Sequence, residues 1–254
     1  MGILIRAGLR KMWRLLPTSL RNDISAARHS SGELDKLFDC LKCCSSIVHI
    51  GANGGQEREL YHRYGLVVVW IEAIPAVYEE LVRNIQPYPN QAAVQALLTD
   101  RAGDIVQFNI SNNSGLSSSI FDLALHRDIW PEVDFVASIR LRSETLDGLV
   151  ESGTIHPSID ALVLDTQGSE LLVLKGAQAV LRQASYVIVE AADFESYKGG
   201  ATVGTIKEFL EEFSFCLVRK EQFAQHPSGG AYYNLCFKRS AELASRTSGC
   251  FGLR

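Results

Sequence analysis

The chain has 254 residues, of which 46% are hydrophobic and 21% are charged. This balance is typical of a globular enzyme with one core-bearing domain and some appended segments, and it excludes a largely disordered chain. The formal net charge is −4, which argues against a chain-wide attraction to nucleic acid phosphates. We therefore expect a folded protein that has no nucleic acid partner.

Residues 1–21 form a basic and apolar segment without an acidic side chain. The segment lacks the uninterrupted apolar core of a signal peptide or of a membrane-spanning helix. Two interpretations stay open: a helix that packs on the domain, and a basic amphipathic helix in weak contact with an anionic membrane surface. We expect the chain to divide into a helical lead-in (1–46), a central domain (47–239) and a tail (240–254).

Six cysteines raise the question of disulfide bonds or a zinc site. Three lie close together near the start of the chain and three are scattered towards its end: Cys40, Cys43, Cys44, Cys216, Cys236 and Cys250. A structural zinc site usually takes its four ligands from two close pairs, and the later cysteines form no second pair. We therefore predict free thiols in a reducing cytoplasm and no metal ligands, with metal or redox chemistry as the alternative.

Strand and helix patterns alternate along much of the chain. Apolar and β-branched runs predict strands at residues 47–50, 66–71, 92–98, 104–110, 135–142, 161–164, 186–189, 215–219 and 232–238. Helical patterns cover residues 56–64, 76–85, 169–183 and 203–213. The sequence Asp-Arg-Ala-Gly at 100–103 predicts a hairpin turn between the strands on either side of it.

Strands that are separated by helices predict a parallel sheet with helices on both faces. The last two predicted strands are different, because residues 220–231 between them contain Pro227 and two glycines and no helical pattern. We expect these two strands to pair antiparallel. The predicted architecture is an α/β, Rossmann-like fold with a doubly wound, mostly parallel seven-stranded sheet and an antiparallel last strand. This order resembles the methyltransferase variant of that fold more than the dehydrogenase variant.

The first predicted strand ends in the turn Gly51-Ala52-Asn53-Gly54-Gly55. Gly51 and Gly55 allow close approach of a ligand, and Asn53 tolerates a left-handed backbone. Because ligands of open parallel sheets bind beyond the carboxyl ends of the strands, this turn is predicted to hold the amino-acid end of a nucleoside cofactor. The dinucleotide fingerprint requires a third glycine where Gln56 stands, which argues against a pyrophosphate site.

Two acidic residues follow the next two strands. Glu72 comes at the end of the second strand, about 20 residues after the glycine turn, where a carboxylate can accept both ribose hydroxyls of a nucleoside. Asp100 follows the third strand and is a candidate for the adenine amino group of the cofactor. It is equally suited to a turn before Gly103.

Asp165 ends a buried strand and opens the segment Asp-Thr-Gln-Gly-Ser-Glu at 165–170. A charged group that closes a buried strand needs a partner or a chemical task. Glu170 lies in the first turn of the following helix, where a carboxylate also offsets the helix dipole. We expect a functional role for Asp165, whereas a structural role explains Glu170 at least as well.

Together these segments resemble the FkbM family of methyltransferases. Residues 48–55 look like its cofactor turn, 70–75 like its ribose-binding strand end, and 164–170 with 174–177 like its fourth-strand signature. The resemblance runs from about residue 47 to 215. It implies S-adenosylmethionine as the methyl donor and O-methylation of a small-molecule or glycan hydroxyl, often of the sugar or polyketide type. The sequence departs from the family at His49, where an acid is usual, so this cofactor-turn residue supplies no full negative charge.

Methyl transfer from a sulfonium is an in-line displacement, so much of the catalysis comes from alignment of the reacting atoms. A base then helps to remove the proton of the hydroxyl. We predict that Asp165 positions or deprotonates the acceptor, with Glu190 at the end of the next strand as the second candidate. Two alternatives stay open: an NAD-linked oxidoreductase, and a degenerate domain that acts as a binding module.

Overall fold

The computed structural model describes residues 37–240, so the expectations for residues 1–21 and for nearly all of the tail lie outside the described residues. Strands of the described part are β1 (Ser46–Ile50), β2 (Val67–Glu72), β3 (Gln91–Gln95), β4 (Leu97–Leu98), β5 (Ile105–Ser111), β6 (Phe135–Glu144), β7 (Ala161–Leu164), β8 (Tyr186–Ala192), β9 (Phe215–Gln225) and β10 (Ala231–Arg239). Within residues 37–240, no helix is long and apolar enough to cross a membrane.

Seven short α-helices connect these strands in the described part, and a 3-10 helix precedes them. The 3-10 helix covers Asp39–Cys43. The α-helices are α1 (Arg58–Arg63), α2 (Pro75–Ile85), α3 (His126–Ile129), α4 (Leu146–Glu151), α5 (Glu170–Lys175), α6 (Gln178–Leu181) and α7 (Val203–Glu212). Helix α2 begins with proline at its first position, where the missing amide hydrogen would have no helical partner anyway.

Seven strands form one sheet in the order β3-β2-β1-β7-β8-β10-β9. Neighbours from β3 through to β8 run parallel, whereas β10 runs antiparallel to both β8 and β9. The doubly wound sheet with an antiparallel last strand is therefore confirmed. The strand order reverses between β1 and β7, and this is the point where open α/β sheets bind their ligands.

Alternate residues of the strands point to opposite sides of the large sheet, and helices cover the apolar side chains on both faces. On one face, Val48 and Leu162 pack against α4, α5, α6 and α7. On the other face, Ile47 and Trp70 pack against α1, α2 and the segment 37–43. The first described residues therefore belong to the core of the domain.

The predicted hairpin at 100–103 is wrong. Strands β4 and β5 do not pair with each other, because β6 lies between them and bonds to both, parallel to β4 and antiparallel to β5. Ser143 of β6 takes the hydrogen bonds that a hairpin would have used: its carbonyl accepts from Gly103 N at 2.8 Å, and its Oγ accepts from Asp104 N at 3.1 Å. The predicted strand 92–98 is accordingly divided between the large sheet and this small one.

The predicted helix 169–183 is interrupted at Gly176 and becomes α5 and α6. The Gly176 carbonyl accepts a hydrogen bond from Asp147 N at 3.0 Å instead of one from a following helical turn. The Asp147 carboxylate then accepts from Ala179 N and Val180 N at 2.8 and 3.1 Å, which starts a new helix. A side chain at 176 has no room, since its Cβ would lie 2.1 Å from Thr99 O.

Candidate active site

Gly51 lies in close contact with the backbone that follows β7. Its φ is +79°, and a Cβ on it would lie 1.9 Å from the carbonyl oxygen of Asp165. The amides of Gly51 and Ala52 both donate to Ile71 O at 3.0 Å, and Asp165 N donates to Ile50 O at 3.0 Å. The turn is thus fixed between both neighbouring strands, in a position that only glycine fits.

Asn53 adopts the left-handed backbone that the sequence predicts for it, with φ +44°. Its side-chain oxygen accepts hydrogen bonds from Gly54 N at 2.7 Å and from Gln56 Nε2 at 3.2 Å. Its side-chain Nδ2 donates to Ser114 O at 3.2 Å. Gly55 also has positive φ, and a Cβ there would lie 2.8 Å from the Leu81 side chain, so the turn is packed against α2.

Glu72 lies at the end of β2 with 6% of its surface exposed. One carboxylate oxygen accepts from Asn53 N at 2.9 Å and the other from Ile74 N at 2.7 Å. Burial raises the pKa of Glu72 to about 7, against the lowering effect of these amides. The residue therefore joins the glycine turn to the end of β2.

His49 is buried in β1 and is 5% exposed. Its Nδ1 lies 3.1 Å from Tyr61 Oη, and its ring stacks on Trp70 with the ring centroids 4.8 Å apart. Burial lowers the pKa of His49 to about 3, so the ring is neutral at pH 7. Glu57 brings a carboxylate to 3.9 Å from Nδ1, which places an acid beside the turn although position 49 lacks one.

The turn after β7 holds a side-chain network around Gln167. Its Nε2 donates to Asp165 Oδ1 at 2.5 Å and to Glu190 Oε1 at 3.2 Å. Its Oε1 accepts from Tyr197 Oη at 2.7 Å. Since carboxylates can only accept, this arrangement also fixes which end of the amide faces them. One amide therefore holds both predicted catalytic carboxylates side by side.

The backbone of this turn is supported from two sides. Gln167 has φ +54° and its carbonyl accepts from Ser119 Oγ at 2.7 Å. The Glu170 carboxylate accepts from Thr166 N at 3.0 Å and from Gly168 N at 3.1 Å. Burial raises the pKa of Glu170 to about 7. Glu170 thus caps the turn, in agreement with the structural role that the sequence allowed for it.

Two clefts open at this edge of the sheet and share Gly51, Asn53, Leu116 and Asp165. The β8-side cleft is also lined by His49, Glu57, Glu190, Phe38, Phe223 and Asn234. The β2-side cleft is also lined by Glu72, Ile71, Leu98, Phe108, Thr166 and Gln167. Including their open mouths, the two clefts enclose about 780 and 570 Å³.

The predicted site residues are mostly brought together. His49, Gly51, Asn53, Asp165 and Glu190 line the β8-side cleft, Glu72 lines the β2-side cleft, and Gly55 shapes the turn between them. Asp100 is the exception. It is exposed in the turn after β4 and lines neither cleft, because the chain leaves the large sheet after Gln95 and then pairs with β6 through Leu97–Leu98. The structure gives no support to its predicted contact with adenine.

Several residues of the site were not predicted from the sequence. Gln167 and Tyr197 orient the carboxylates, and Phe38 and Phe223 form aromatic walls of the β8-side cleft. Gln167 stands inside the recognised segment 164–170, so its position was a usable signal. The others come from distant parts of the chain, and no local pattern marks them. Within residues 37–240, no three His, Cys, Asp or Glu side chains are grouped to hold a metal ion.

Comparison with known proteins identifies the family. The Methyltransferase FkbM domain matches residues 49–217, which include the end of β1, the glycine turn, Glu72 and the Gln167 network. The chain belongs to the FkbM methyltransferase family. Membership confirms the predictions of a methyltransferase and of S-adenosylmethionine as its methyl donor, and it decides against an NAD-linked oxidoreductase.

A solved structure shows the same fold. The methyltransferase resembles magnesium protoporphyrin IX methyltransferase (ChlM) from Synechocystis PCC 6803 with bound SAM, at 11% identity over 91% of this chain and 90% of that one, with a TM-score of 0.53. It is also similar to TrmK from M. capricolum in complex with S-adenosylhomocysteine, at 9% identity over 83% and 69% of the two chains, with a TM-score of 0.49. No curated protein sequence matches the chain.

Proposed function

We propose that this methyltransferase acts on a hydroxyl group of a small molecule or a glycan, with Asp165 as the residue that binds and deprotonates the acceptor. The observation that carries the proposal is the pair of carboxylates, Asp165 and Glu190, joined by the amide of Gln167 at the strand-order reversal. A hydroxyl needs an acceptor for its proton as it attacks, and a carboxylate beside the donor site supplies one.

The turn and the two clefts fit the methyl donor. Gly51 leaves a cradle that a Cβ would fill, and Thr166 Oγ1 is a buried hydroxyl oxygen that has no hydrogen-bond partner within the described residues. Gly51, Asn53 and Gly55 are proposed to hold the amino-acid end, and Glu72 the ribose hydroxyls. Bound there, S-adenosylmethionine supplies an electrophilic methyl group on a cationic sulfur.

Because His49 is neutral, the negative charge of the site comes from nearby acidic residues. Glu57 lies next to the turn, and Asp165 and Glu190 line the same cleft. Opposite charges attract strongly in a partly desolvated cleft, so these carboxylates favour a cationic donor. We propose that Glu57 takes over part of the electrostatic role that an acid at position 49 would have, while His49 fixes the position of β1.

The remaining lining of the β8-side cleft suits a neutral hydroxylated acceptor. Phe38 and Phe223 provide apolar walls that exclude water from the reacting groups, and Asn234 adds an amide for hydrogen bonds. The carboxylates repel phosphate, and the chain carries a net charge of −4, so a nucleic acid acceptor is disfavoured. The unbridged cysteines of the described residues are consistent with a cytoplasmic location.

Calorimetry with S-adenosylmethionine, S-adenosylhomocysteine and NAD tests the donor site. We expect both sulfur ligands to bind and NAD not to bind. Binding of none of the three would support the degenerate binding module instead. Transfer of labelled methyl groups to a panel of sugars, polyketide alcohols, amines and RNA then tests the acceptor class, and labelling of amines or RNA alone would contradict the proposal.

The role of Asp165 is tested by Asp165→Asn. Loss of a positioned base typically lowers turnover by about 10²–10⁴-fold, and we expect a fall in that range with S-adenosylhomocysteine affinity nearly unchanged. Asp122→Asn is the matched control, because Asp122 is 69% exposed and only contacts Lys198 at 3.7 Å. Undiminished turnover in Asp165→Asn would show that another group removes the proton.

A further inference from the structure

Two cysteines that are 196 residues apart in sequence meet beside the β8-side cleft. Cys40 in the 3-10 helix and Cys236 in β10 have their sulfur atoms 3.4 Å apart, and both thiols are free. Cys236 is 2% exposed, whereas Cys40 is partly exposed. Cys40 is therefore the more accessible residue of the two, and the Cys236 sulfur lies at contact distance from its sulfur.

The surroundings favour ionisation of Cys40 among the clustered thiols. The sulfur–sulfur hydrogen bond with Cys236, together with the charge of Arg219, lowers the pKa of Cys40. Arg219 of β9 is the direct cross-strand partner of Cys236. In contrast, burial raises the pKa of Cys44 to about 12. Cys40 is thus the more nucleophilic thiol of the pair, and Cys236 is placed to attack Cys40 once Cys40 is oxidised.

The thiol pair connects a wall of the cleft to the sheet. Leu37 and Phe38, which precede the 3-10 helix directly, line the β8-side cleft. On the sheet side, Cys236 lies opposite Ile188 of β8, which also lines this cleft. Segment 37–43 is held in the described structure by apolar packing, so a covalent bond at Cys40 would fasten it permanently.

We propose that Cys40 and Cys236 are a reversible disulfide site that responds to peroxide and fastens segment 37–43 onto the sheet. In the first step the Cys40 thiolate attacks peroxide: an S–O bond forms, the O–O bond breaks, and water leaves once the released hydroxide is protonated. In the second step the Cys236 sulfur attacks the sulfenic acid: the S–S bond forms, the S–O bond breaks and a second water leaves. Two thiols are oxidised and one peroxide is reduced.

The bond has a consequence for the active site that rests on the proposed function. Phe38 stays in place as a wall of the cleft when its segment is fastened, so entry and release of the cofactor are slowed in the oxidised protein. A dithiol reductant reverses the bond by thiol–disulfide exchange and lets the segment move again. Disulfides of this transient kind are the ones found in reducing compartments.

The test treats the full chain with hydrogen peroxide and maps its disulfides by mass spectrometry after alkylation of free thiols. We expect a mass loss of about 2 Da, a linked peptide pair containing Cys40 and Cys236, and full reversal by dithiothreitol. Hydrogen exchange of residues 37–43 should slow by about tenfold in the oxidised form, because local opening of the segment is blocked. Unchanged exchange, or a bridge between other cysteines, would overturn the proposal.

Variants separate the two thiols. Cys236→Ser should leave Cys40 as a sulfenic acid that a dimedone probe traps, and Cys40→Ser should abolish the bridge without such a product. Cys216→Ser is the matched control, since Cys216 is an exposed thiol of the neighbouring strand β9, and it should oxidise like the wild type. If a serine variant fails to fold, the wild-type peptide map still decides.

S-adenosylhomocysteine release measured on oxidised and reduced protein tests the consequence for the site. We expect release to be several-fold slower in the oxidised form. Equal release rates with the bridge formed would contradict the regulatory role. Absence of any binding in both forms would contradict the proposed function, while the peptide map and the exchange data would still decide the disulfide itself.

Discussion

The turns after β1 and β7 face each other at the centre of the sheet, and their backbone conformations are fixed in different ways. The turn after β1 has positive φ at Gly51, and the turn after β7 has positive φ at Gln167. Gly51 has no side chain and lets two backbones approach, whereas the Gln167 side chain bonds to three other side chains. The first turn is determined by steric exclusion and the second by a hydrogen-bond network.

This difference predicts how each turn responds to substitution. A steric constraint is close to absolute, because displaced backbone disturbs both strands at once. The effect of a substitution in a hydrogen-bond network is smaller and varies with the residue, because the remaining members can keep part of the geometry. We therefore expect the largest effects at the β1 turn and smaller, separable effects at the β7 turn.

Gly51→Ala should have the largest effect. A methyl group there adds left-handed strain of about 1–2 kcal/mol and also overlaps Asp165 O, so the free energy of unfolding should fall by about 4 kcal/mol or more. Denaturant unfolding measures the loss of stability, and calorimetry with S-adenosylhomocysteine measures the loss of cofactor affinity that we expect with it. Gly65→Ala is the matched control: its φ is +72° with no atom within 4 Å, so it should lose only the strain energy. Equal losses in both variants would refute the steric account.

The contrast also explains what the sequence could predict. Glycine spacing, the acid after β2 and the acid after β7 are local signals, and they located the cleft and the fold. Gln167 lay within a recognised segment, but its role depends on Glu190 and Tyr197, which β8 and a later loop bring to it. Asp100 lines neither cleft for the same reason, because the long-range pairing of β4 with β6 sets the direction of the chain that carries it.

The β1 turn should also make the protein sensitive to acid through His49. The pKa of His49 is about 3 when folded and about 6.5 when unfolded, so only the unfolded chain gains this proton between those values. Stability is fully present above pH 6.5 and is lost as the pH falls, by about 3 kcal/mol at pH 4. His49→Phe should remove this dependence, which unfolding at pH 7 and pH 4 would reveal.

Two features keep the His49 experiment interpretable. Glu72 and Glu170 contribute a pH dependence of stability with the opposite sign to that of His49. Their pKa values of about 7 make the folded chain gain protons as the pH falls from 7 to 4.5. Their contribution is common to both proteins and cancels in the difference. His62→Phe, at an exposed histidine of α1, is the control and should keep the wild-type pH dependence. A wild-type slope in His49→Phe would contradict the neutral, buried state of the ring.

Gln167→Leu tests the second turn. It removes the donor to both carboxylates while nearly keeping the volume, so turnover with the best acceptor of the panel should fall by about 10–100-fold. S-adenosylhomocysteine affinity should change by less than about twofold, since the β1 turn is intact. Gln178→Leu, at an exposed glutamine of α6, should behave as the wild type. Loss of cofactor affinity without loss of turnover would reverse the proposed division between the two turns.

Tyr197→Phe should have the smallest effect and measures how graded the network is. The phenol donates to Gln167 Oε1 at 2.7 Å, and its loss leaves both amide hydrogens with their carboxylate partners but frees the amide to rotate. We expect turnover to fall by about 3–10-fold and stability by about 1 kcal/mol. Tyr78→Phe is the control, because its hydroxyl makes a single long contact of 3.5 Å to Ala93 O. If Tyr197→Phe lowered turnover as much as Gln167→Leu, orientation of the amide would be the whole function of the network. The turn after β7 would then tolerate substitution no better than the turn after β1.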